Sequence, residues 1–576
     1  MNILGISGQE RDAAAALVQD GRVIAAIVEE KLERIRHIGM NYAGGLPGRA
    51  IDFCLSRARI TFDDIDYVAY YLEPHKLFHR EIAFNSSRAT RTLDPSFIED
   101  FPPYFVDSLN GLKQRLRTRR LVESRLSARG QFVVVPHHLA HGASAFYGSG
   151  FARAAVISLD NKGDMTSAAL MTGNGGQLSL QSEAQFPNSV GLVYSAVTTA
   201  LGFGFDDDWH KTMWLAPTGE PVYVDLLADI LGVSASGLPT VNLEYFDASS
   251  RGDLSLTDRF FERAGLERRE KDTPVNQKHR NLAASLQARV EDVVCEIAAR
   301  HRERTGEENL CLAGGVALNS LANSAIERRS GFNRLFVQPA AGNAGCSIGA
   351  ALYVWHQMLG NDERAYQMQH AFLGPQCGEE EIKSVLDNCK LDYEYCLTED
   401  KLIAEVARLL AQGHITGWFR GAMEFGPRAL GARSILASPT SEMMRENLNV
   451  YIKRREDFRP FSAAVPEERA EEFFELSALT DFLQGVSRIK EGKQQSIPAA
   501  VFGNGLVRVH TVSRKTNPSF WKLLMKFDEA AGVPVLLNTS FNLFGEPVVS
   551  TPREAVRGFY CSGIDCLAIG NFLIKK

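Results

Sequence analysis

One stretch constrains the fold of this chain more than any other. From Pro136 to Asp164 it reads PHHLAHGASAFYGSGFARAAVISLDNKGD, and Phe132-Val133-Val134-Val135 come just before it. The β-branched run stops at a proline, as a buried strand would. His137, His138 and His141 follow in an alanine-rich segment, and read either as ordinary surface and core histidines or, if the segment is helical, as a metal-binding pair. On a helix His137 and His141 stand at i and i+4 on one face, where both imidazoles can reach one metal ion. Ala155 to Leu159 predicts a second strand, ending in Asp160 and the turn Asn161-Lys162-Gly163-Asp164. A carboxylate at a strand end beside a glycine turn is well placed to reach a metal or a phosphate.

With 576 residues the chain is too long for one core, so two or more domains are expected. Its net charge is -6, from 63 basic and 69 acidic residues. That gives no bulk attraction to nucleic acid or to an anionic membrane, yet leaves room for a local basic pocket. The start, MNILGISGQERD, has no basic region and no long apolar core, so no signal peptide is expected. No run of about 18 apolar residues exists, so no transmembrane helix is expected. Nine scattered cysteines without a CxxC pair suit a reducing cytoplasm and free, mostly buried thiols.

Asn2–Ser7, Ala13–Val18 and Val23–Val28 predict an N-terminal β-meander, with Asp12 at the mouth of its first turn. The charged segment Glu29–His37 reads as a solvated face, and the arginine-rich Phe105–Leu126 as an exposed helix. Ser167–Thr172 and Gln177–Gln181 predict a hairpin. Helices are expected over Val190–Phe203 and Asn276–Arg304. Asp206 to Gly219 gathers three carboxylates, Trp209, His210, Lys211 and Trp214 in one loop-like segment, which reads either as a substrate pocket or as an acidic helix start with core aromatics. Two strand-end glycine turns follow, one with Gly314, Gly315 and Asn319, the other with Gly342 and Asn343. Glycine there lets the backbone approach a nucleotide and leaves helix N-terminal N–H groups for an anion. No tandem repeat is visible.

Periodicity fades from Gly360 to Asp400, which places the connection between domains at 359–400, with domains at 1–358 and 401–576. The second holds a basic cluster: Arg420, Arg428, Arg433, Lys453, Arg454, Arg455 and Arg459. Prolines and glycines among these residues argue for loops that hold guanidinium groups in place, as phosphate recognition requires. Val533–Leu537 predicts a strand ending in Asn538-Thr539-Ser540-Phe541-Asn542, a polar cluster suited to ligand contacts.

Taken in order, these motifs resemble the O-carbamoyltransferases of the NodU/CmcH type, which include nodulation-factor, cephamycin and aminoglycoside carbamoyltransferases. The resemblance rests on DAAAALVQDGRVIAAIVEE, HHLAHGASAF, LDNKGD, FPNSVGLVYSAVT, GGVALN, GCSIGAAL, EFGPRALGARSILA, FRPFSAAV and LNTSFN, and covers nearly the whole chain. It implies an α/β fold in two parts. The N-terminal domain would be of the actin/sugar-kinase (ASKHA) type, similar to tRNA-threonylcarbamoyl transferases, and the C-terminal domain YrdC-like. Carbamoyl phosphate and ATP would give carbamoyl-adenylate in the C-terminal domain. The N-terminal domain would pass the carbamoyl group to an acceptor hydroxyl and release AMP.

The resemblance further implies that His137, His141, Asp160 and Asn343 hold a divalent metal, Fe2+, with Mg2+ accompanying ATP. Asp160, Gly314, Gly315 and Asn319 would bind ATP or carbamoyl-adenylate. Arg428, Lys453, Arg459, Asn538 and Ser540 would bind carbamoyl phosphate, and Asp12, His141, Arg428 and Lys453 would be catalytic. The expected partners are ATP, carbamoyl phosphate and a small-molecule, natural-product hydroxyl acceptor, with no nucleic acid and no membrane; a homodimer is kept open. The family usually has Asp where this chain has Asn343, His where it has Arg11, and EYKVMGLAPYG where it has WHKTMWLAPTG. Competing readings are a tRNA threonylcarbamoyl enzyme, an actin-like small-molecule kinase and a non-enzymatic nucleotide-binding protein. The negative charge, the basic C-terminal cluster and the intact histidine pair speak against them in turn.

Overall fold

Alternating apolar runs build two five-stranded sheets of the same topology in the first part of the chain. The computed structural model describes residues 1–92, 95–204, 208–248, 253–271 and 273–576. Met1–Glu29 and His37–Met368 form one unit, and Glu30–Arg36 with Gln369–Lys576 a second.

In the first sheet Arg22–Val28, Ala14–Gln19 and Asn2–Ser7 run antiparallel, and Tyr67–Tyr70 and Gln131–Val134 extend it in parallel. In the second, Gln177–Gln185, Thr166–Asn174 and Arg153–Leu159 repeat the meander, and Asn309–Ala313 and Arg334–Val337 extend it in parallel. A helix follows the last strand each time: His137–Ser149 in the first half and Gly345–Tyr353 in the second. The fold is therefore duplicated where the sequence shows no repeat. Sheet topology asks only for apolar residues at buried positions, and many sequences satisfy that.

Glycine brings these helices together. A β-carbon on Gly349 would lie 1.8 Å from the Ala140 carbonyl oxygen of the histidine helix. One on Gly5 would lie 1.8 Å from the Ser347 carbonyl oxygen. Both contacts fix how the helix Gly345–Tyr353 meets the first strand and the histidine helix.

Several expectations need correction. The β-branched run before Pro136 is a half-buried edge strand, because it has a neighbour on one side only. Glu29–His37 is not a solvated face. Lys31 is buried and donates to the carbonyls of Glu424 and Gly426 at 2.7 and 3.0 Å. Arg34 donates to the carbonyls of Val548 and Pro547 at 2.6 and 2.9 Å. These cations cap loop carbonyls within the second unit. The arginine-rich helix spans Pro95–Glu123, and Arg115 and Thr118 on it are buried. Of the stretch read as a loop, Asp206 and Asp207 lie outside the described residues. Trp209–Leu215 is a helix, with Trp214 in the core.

The second unit is built on a ten-stranded sheet whose central strands are Thr416–Phe419, Arg433–Ala437, Leu536–Ser540, Ser462–Pro466 and Leu506–Val512. The stretch read as a connection, 359–400, is divided at Met368. Residues beyond it supply the helix Glu379–Asn388 and the edge strand Glu394–Tyr395 to the second unit. Periodicity fades earlier because 360–378 has no regular structure. Among the described residues, no helix is long and apolar enough to cross a membrane.

Gly349→Ala should lower the free energy of unfolding by about 1–3 kcal/mol or more, since a methyl group there overlaps backbone. Gly48→Ala, where a β-carbon meets nothing within 4 Å, should change it by less than about 1 kcal/mol. Urea midpoints at constant m compare the two.

Candidate active site

The turn after Arg153–Leu159 both places Asp160 and anchors the histidine helix. The Asp160 N–H donates to the Ser167 carbonyl at 2.9 Å, and the Ser189 hydroxyl donates to the Asp160 carbonyl at 2.8 Å. At the end of the turn Asp164 Oδ2 accepts the His137 N–H at 2.9 Å, and Oδ1 accepts the Glu73 N–H at 2.8 Å. This caps the first turn of a helix that starts with proline as its N-cap. Burial pushes the Asp164 carboxyl up to about 7.

His141 Nε2 lies 2.9 Å from Asp160 Oδ2, and His137 Nε2 lies 3.3 Å from the same oxygen. The two Nε2 atoms are 3.1 Å apart. Burial alone would raise the Asp160 carboxyl, but both imidazoles outweigh it and hold the group well below the usual carboxylate range. Burial lowers the His137 pKa. Two imidazole nitrogens this close need a proton or a cation between them. Ligand atoms about 2.1 Å from one ion, on one face of an octahedron, lie about 3 Å apart. The residues therefore fit a divalent transition metal. The Nδ1 atoms of both histidines are buried and have no hydrogen-bond partner. Packing of the helix, not a second-layer acceptor, aims these rings.

Beside Asp160 opens a cleft of about 730 Å³, the open solvent at its mouth included, lined by the polar Asp12, Asn161 and Asn343 and by Tyr194, Trp209 and Leu318. Gly315 and Asn319 line it as well. Asn319 caps the helix Ser320–Arg329 through the Ala322 N–H at 3.0 Å and donates to Gln287 at 2.9 Å. Gly314 sits at φ 90° with the Leu159 carbonyl only 2.1 Å from a would-be β-carbon. Of the two tryptophans, only Trp209 reaches the cleft. Tyr194 was missed by the sequence reading. It sits in an apolar helix, and nothing local marks it.

In the second unit Lys453 donates to the Ser540 carbonyl at 2.9 Å, the Asn542 carbonyl at 2.9 Å and Asn542 Oδ1 at 2.6 Å. Burial, then Arg455, Arg459 and Arg36, lower its pKa. Burial and Arg459 push Arg428 down to about 10. Burial, then Arg428, Arg455 and Arg459, hold Arg508 well below the usual guanidinium range. These cations act on one another, so they form one cluster. Asn538 donates to the Ala429 carbonyl at 3.0 Å, while its Oδ1 is buried without a partner. Arg508 was not foreseen. The only signal was an arginine inside the apolar strand LVRVHTV.

Two members of the expected cluster do other work. Arg433 is fully buried over the Phe419 ring, 3.7 Å from its centre, and donates to the carbonyls of Arg420, Gly421, Ala432 and Pro375. Arg420 pairs with Glu399 at 2.9 Å.

By architecture this is a mixed α/β protein with a His/His/Asp triad in one unit and a cation cluster in the other. Residues 2–352 match the family model for the carbamoyltransferase N-terminus, and 407–576 that for the carbamoyltransferase C-terminus. The chain belongs to the carbamoyltransferase family, and it is a carbamoyltransferase enzyme of the NodU/NolO type. An uncharacterised Synechocystis protein is 37% identical over 610 residues, covering 100% of this chain and 97% of that protein. Nodulation protein NolNO of Sinorhizobium fredii is 36% identical over 574 residues, covering 98% of this chain and 79% of that protein. Nodulation protein NolO of Bradyrhizobium diazoefficiens is 36% identical over 444 residues, covering 76% and 78%.

Arg433→Met should destabilise the fold by more than about 3 kcal/mol, because several buried carbonyls lose their donor at once. Thermal unfolding of the variant checks this.

His510 lies two residues beyond Arg508 on the same strand, and burial pushes it down to about 3. It stays neutral when folded, while the unfolded chain takes up its proton near pH 6.5. Below that pH the unfolded state binds more protons. The stability contributed by neutral His510 is thus present above about pH 6.5 and is lost as the pH falls toward 3. Between pH 7 and pH 5 the loss is about 2 kcal/mol. In His510→Phe the fall in unfolding free energy over this range should be smaller by that amount, measured by urea unfolding at both pH values.

Proposed function

We propose that the enzyme makes carbamoyl-adenylate in its second unit: carbamoyl phosphate loses its phosphoryl group to water, leaving carbamate and inorganic phosphate, and a carbamate oxygen attacks the α-phosphorus of ATP and releases pyrophosphate. The first unit then passes the carbamoyl group to the hydroxyl of a small natural-product acceptor and releases AMP. In this reading the first unit is an ASKHA-type domain and the second a YrdC-like domain. The observation that carries it is the separation of two chemistries: cations clustered around Lys453 in one unit, and a His/His/Asp triad beside a wide cleft in the other.

Arg428, Lys453 and Arg459 neutralise and orient the phosphoryl oxygens of carbamoyl phosphate, Mg2+ accompanying those of ATP. Ser540 holds Lys453 in place through its carbonyl. Asn538 Oδ1, buried without a partner, accepts an N–H of the carbamoyl group. In the first unit Gly315 and Asn319 take the nucleotide side of the cleft. His137, His141 and Asp160 would hold a divalent metal, Fe2+ in this reading, with Asn343 as a further oxygen donor. Such an ion, when bound, supplies a Lewis acid for phosphate or carbamoyl oxygens. Asp12, held at about 2 because His37 and Arg11 outweigh the upward effect of burial, stays ionised in the cleft wall.

The test is pyrophosphate release from ATP that depends on carbamoyl phosphate. Arg459→Ala should cost about ten- to a hundred-fold in kcat/KM for carbamoyl phosphate, the worth of one charge-assisted hydrogen bond. Arg459→Lys should remain impaired, because it loses the bidentate fork. His141→Ala and chelation should each reduce carbamoyl transfer at least tenfold more than pyrophosphate release, with Fe2+ restoring the chelated enzyme. Equal loss of both activities in folded protein would overturn the division of labour.

A further inference from the structure

The pairing of Asp12 with His37 joins two residues whose backbones are both in the left-handed region. His37 Nδ1 lies 2.6 Å from Asp12 Oδ1, while Arg11 Nε donates to Asp12 Oδ2 at 3.1 Å. Asp12 sits at φ 57° and His37 at φ 53°. Both are in the left-handed region, uncommon for residues other than glycine though aspartate and histidine enter it more often than most. Two facing residues held this way mark a geometry that the surroundings impose.

The surroundings that impose it are visible. The Ala13 N–H donates to the Ile38 carbonyl, and the Met40 N–H to the Gly8 carbonyl, both at 2.9 Å. Between them Gly39 is pressed on the turn so closely that a β-carbon would lie 2.2 Å from the Glu10 carbonyl oxygen. The segment carrying His37 is thus clamped against the turn carrying Asp12. Asp12 and Arg11 line the cleft that also holds Asp160 and Asn343.

We infer that His37 is a positioning residue for carbamoyl transfer: its imidazole holds the Asp12 carboxylate as the hydrogen-bond acceptor on which the incoming hydroxyl docks. The inference rests on the reading that transfer takes place in this cleft. Arg11 Nη2 also lies 3.1 Å from this Nδ1, but the contact with the Asp12 carboxylate is shorter at 2.6 Å. An ionised carboxylate only accepts, so in this pairing His37 donates from Nδ1 to Asp12. A carboxylate has about four acceptor sites. His37 and Arg11 take one on each oxygen, which leaves room for a substrate hydroxyl. Fixed on both sides, the carboxylate cannot rotate away as the hydroxyl arrives, which is the orientation that transfer requires.

Two variants separate the side chain from the backbone. His37→Gly relieves the left-handed strain and removes the imidazole. His37→Asn tolerates the same φ and keeps an N–H donor where Nδ1 stands. Each is compared with wild type in two assays with ATP and carbamoyl phosphate: exchange of labelled pyrophosphate into ATP, and AMP release with water or glycerol as the hydroxyl. AMP release in His37→Gly is expected to fall at least tenfold more than exchange, mainly in kcat, and to recover at least fivefold in His37→Asn. Wild-type behaviour of His37→Gly, or no recovery in His37→Asn, would overturn the inference. If wild type shows no exchange, the proposed first half-reaction fails instead. In that case 15N spectra of the histidines still decide. A His37 Nδ1–H signal that moves on Asp12→Asn upholds the pairing, and a signal that does not move refutes it.

Discussion

The triad in the first unit depends on one main-chain hydrogen bond, from the His137 N–H to the Asp164 carboxylate. The turn that ends in Asp164 begins at Asp160, so a single short loop fixes both the carboxylate of the triad and the start of the helix bearing its two histidines. The bond replaces the side-chain cap that the proline N-cap does not supply. Behind the helix, Gly349 lets a second helix approach to backbone distance, so the rings cannot retreat from Asp160. Their Nδ1 atoms have no acceptor to orient them. Packing and capping do that work instead.

The duplicated sheets explain why two carboxylates face one cleft. Asp12 lies in the turn after Asn2–Ser7, and Asp160 in the turn after Arg153–Leu159. These are the corresponding strands of the two meanders, and their following turns open on the same space. The two carboxylates are then differentiated by their neighbours. Asp12 meets an arginine and one imidazole, and Asp160 meets two imidazoles. The first environment holds a fixed anion, and the second suits a cation.

The second unit reverses this balance. Burial first, and then the neighbouring guanidinium groups, lower the affinity of Arg428, Arg455 and Arg508 for protons, with Arg459 acting on all three. A fold accepts such mutual repulsion where an anion offsets it. Arg433 shows the opposite use of the same side chain: four carbonyls accept from its terminal nitrogens over an aromatic face, and it serves the fold.

The family motifs, the histidine pair at i and i+4, Asp160 at a strand end and the basic loops were legible in the sequence, because each is a short-range pattern tied to one element. Beyond them, the sequence determined most strands and helices through apolar periodicity, and the chemical character of each site through residue type. The tertiary structure alone decided which residues meet. It recruited Arg508 from an apolar strand and diverted Arg433 and Arg420 to structural contacts. It moved the charged segment Glu30–Arg36 into the second unit, put Trp209 in the cleft and Trp214 in the core, and paired His37 with Asp12. Each of these depends on contacts between residues far apart in the chain, set by sheet pairing and backbone approach, and a local pattern carries no record of them.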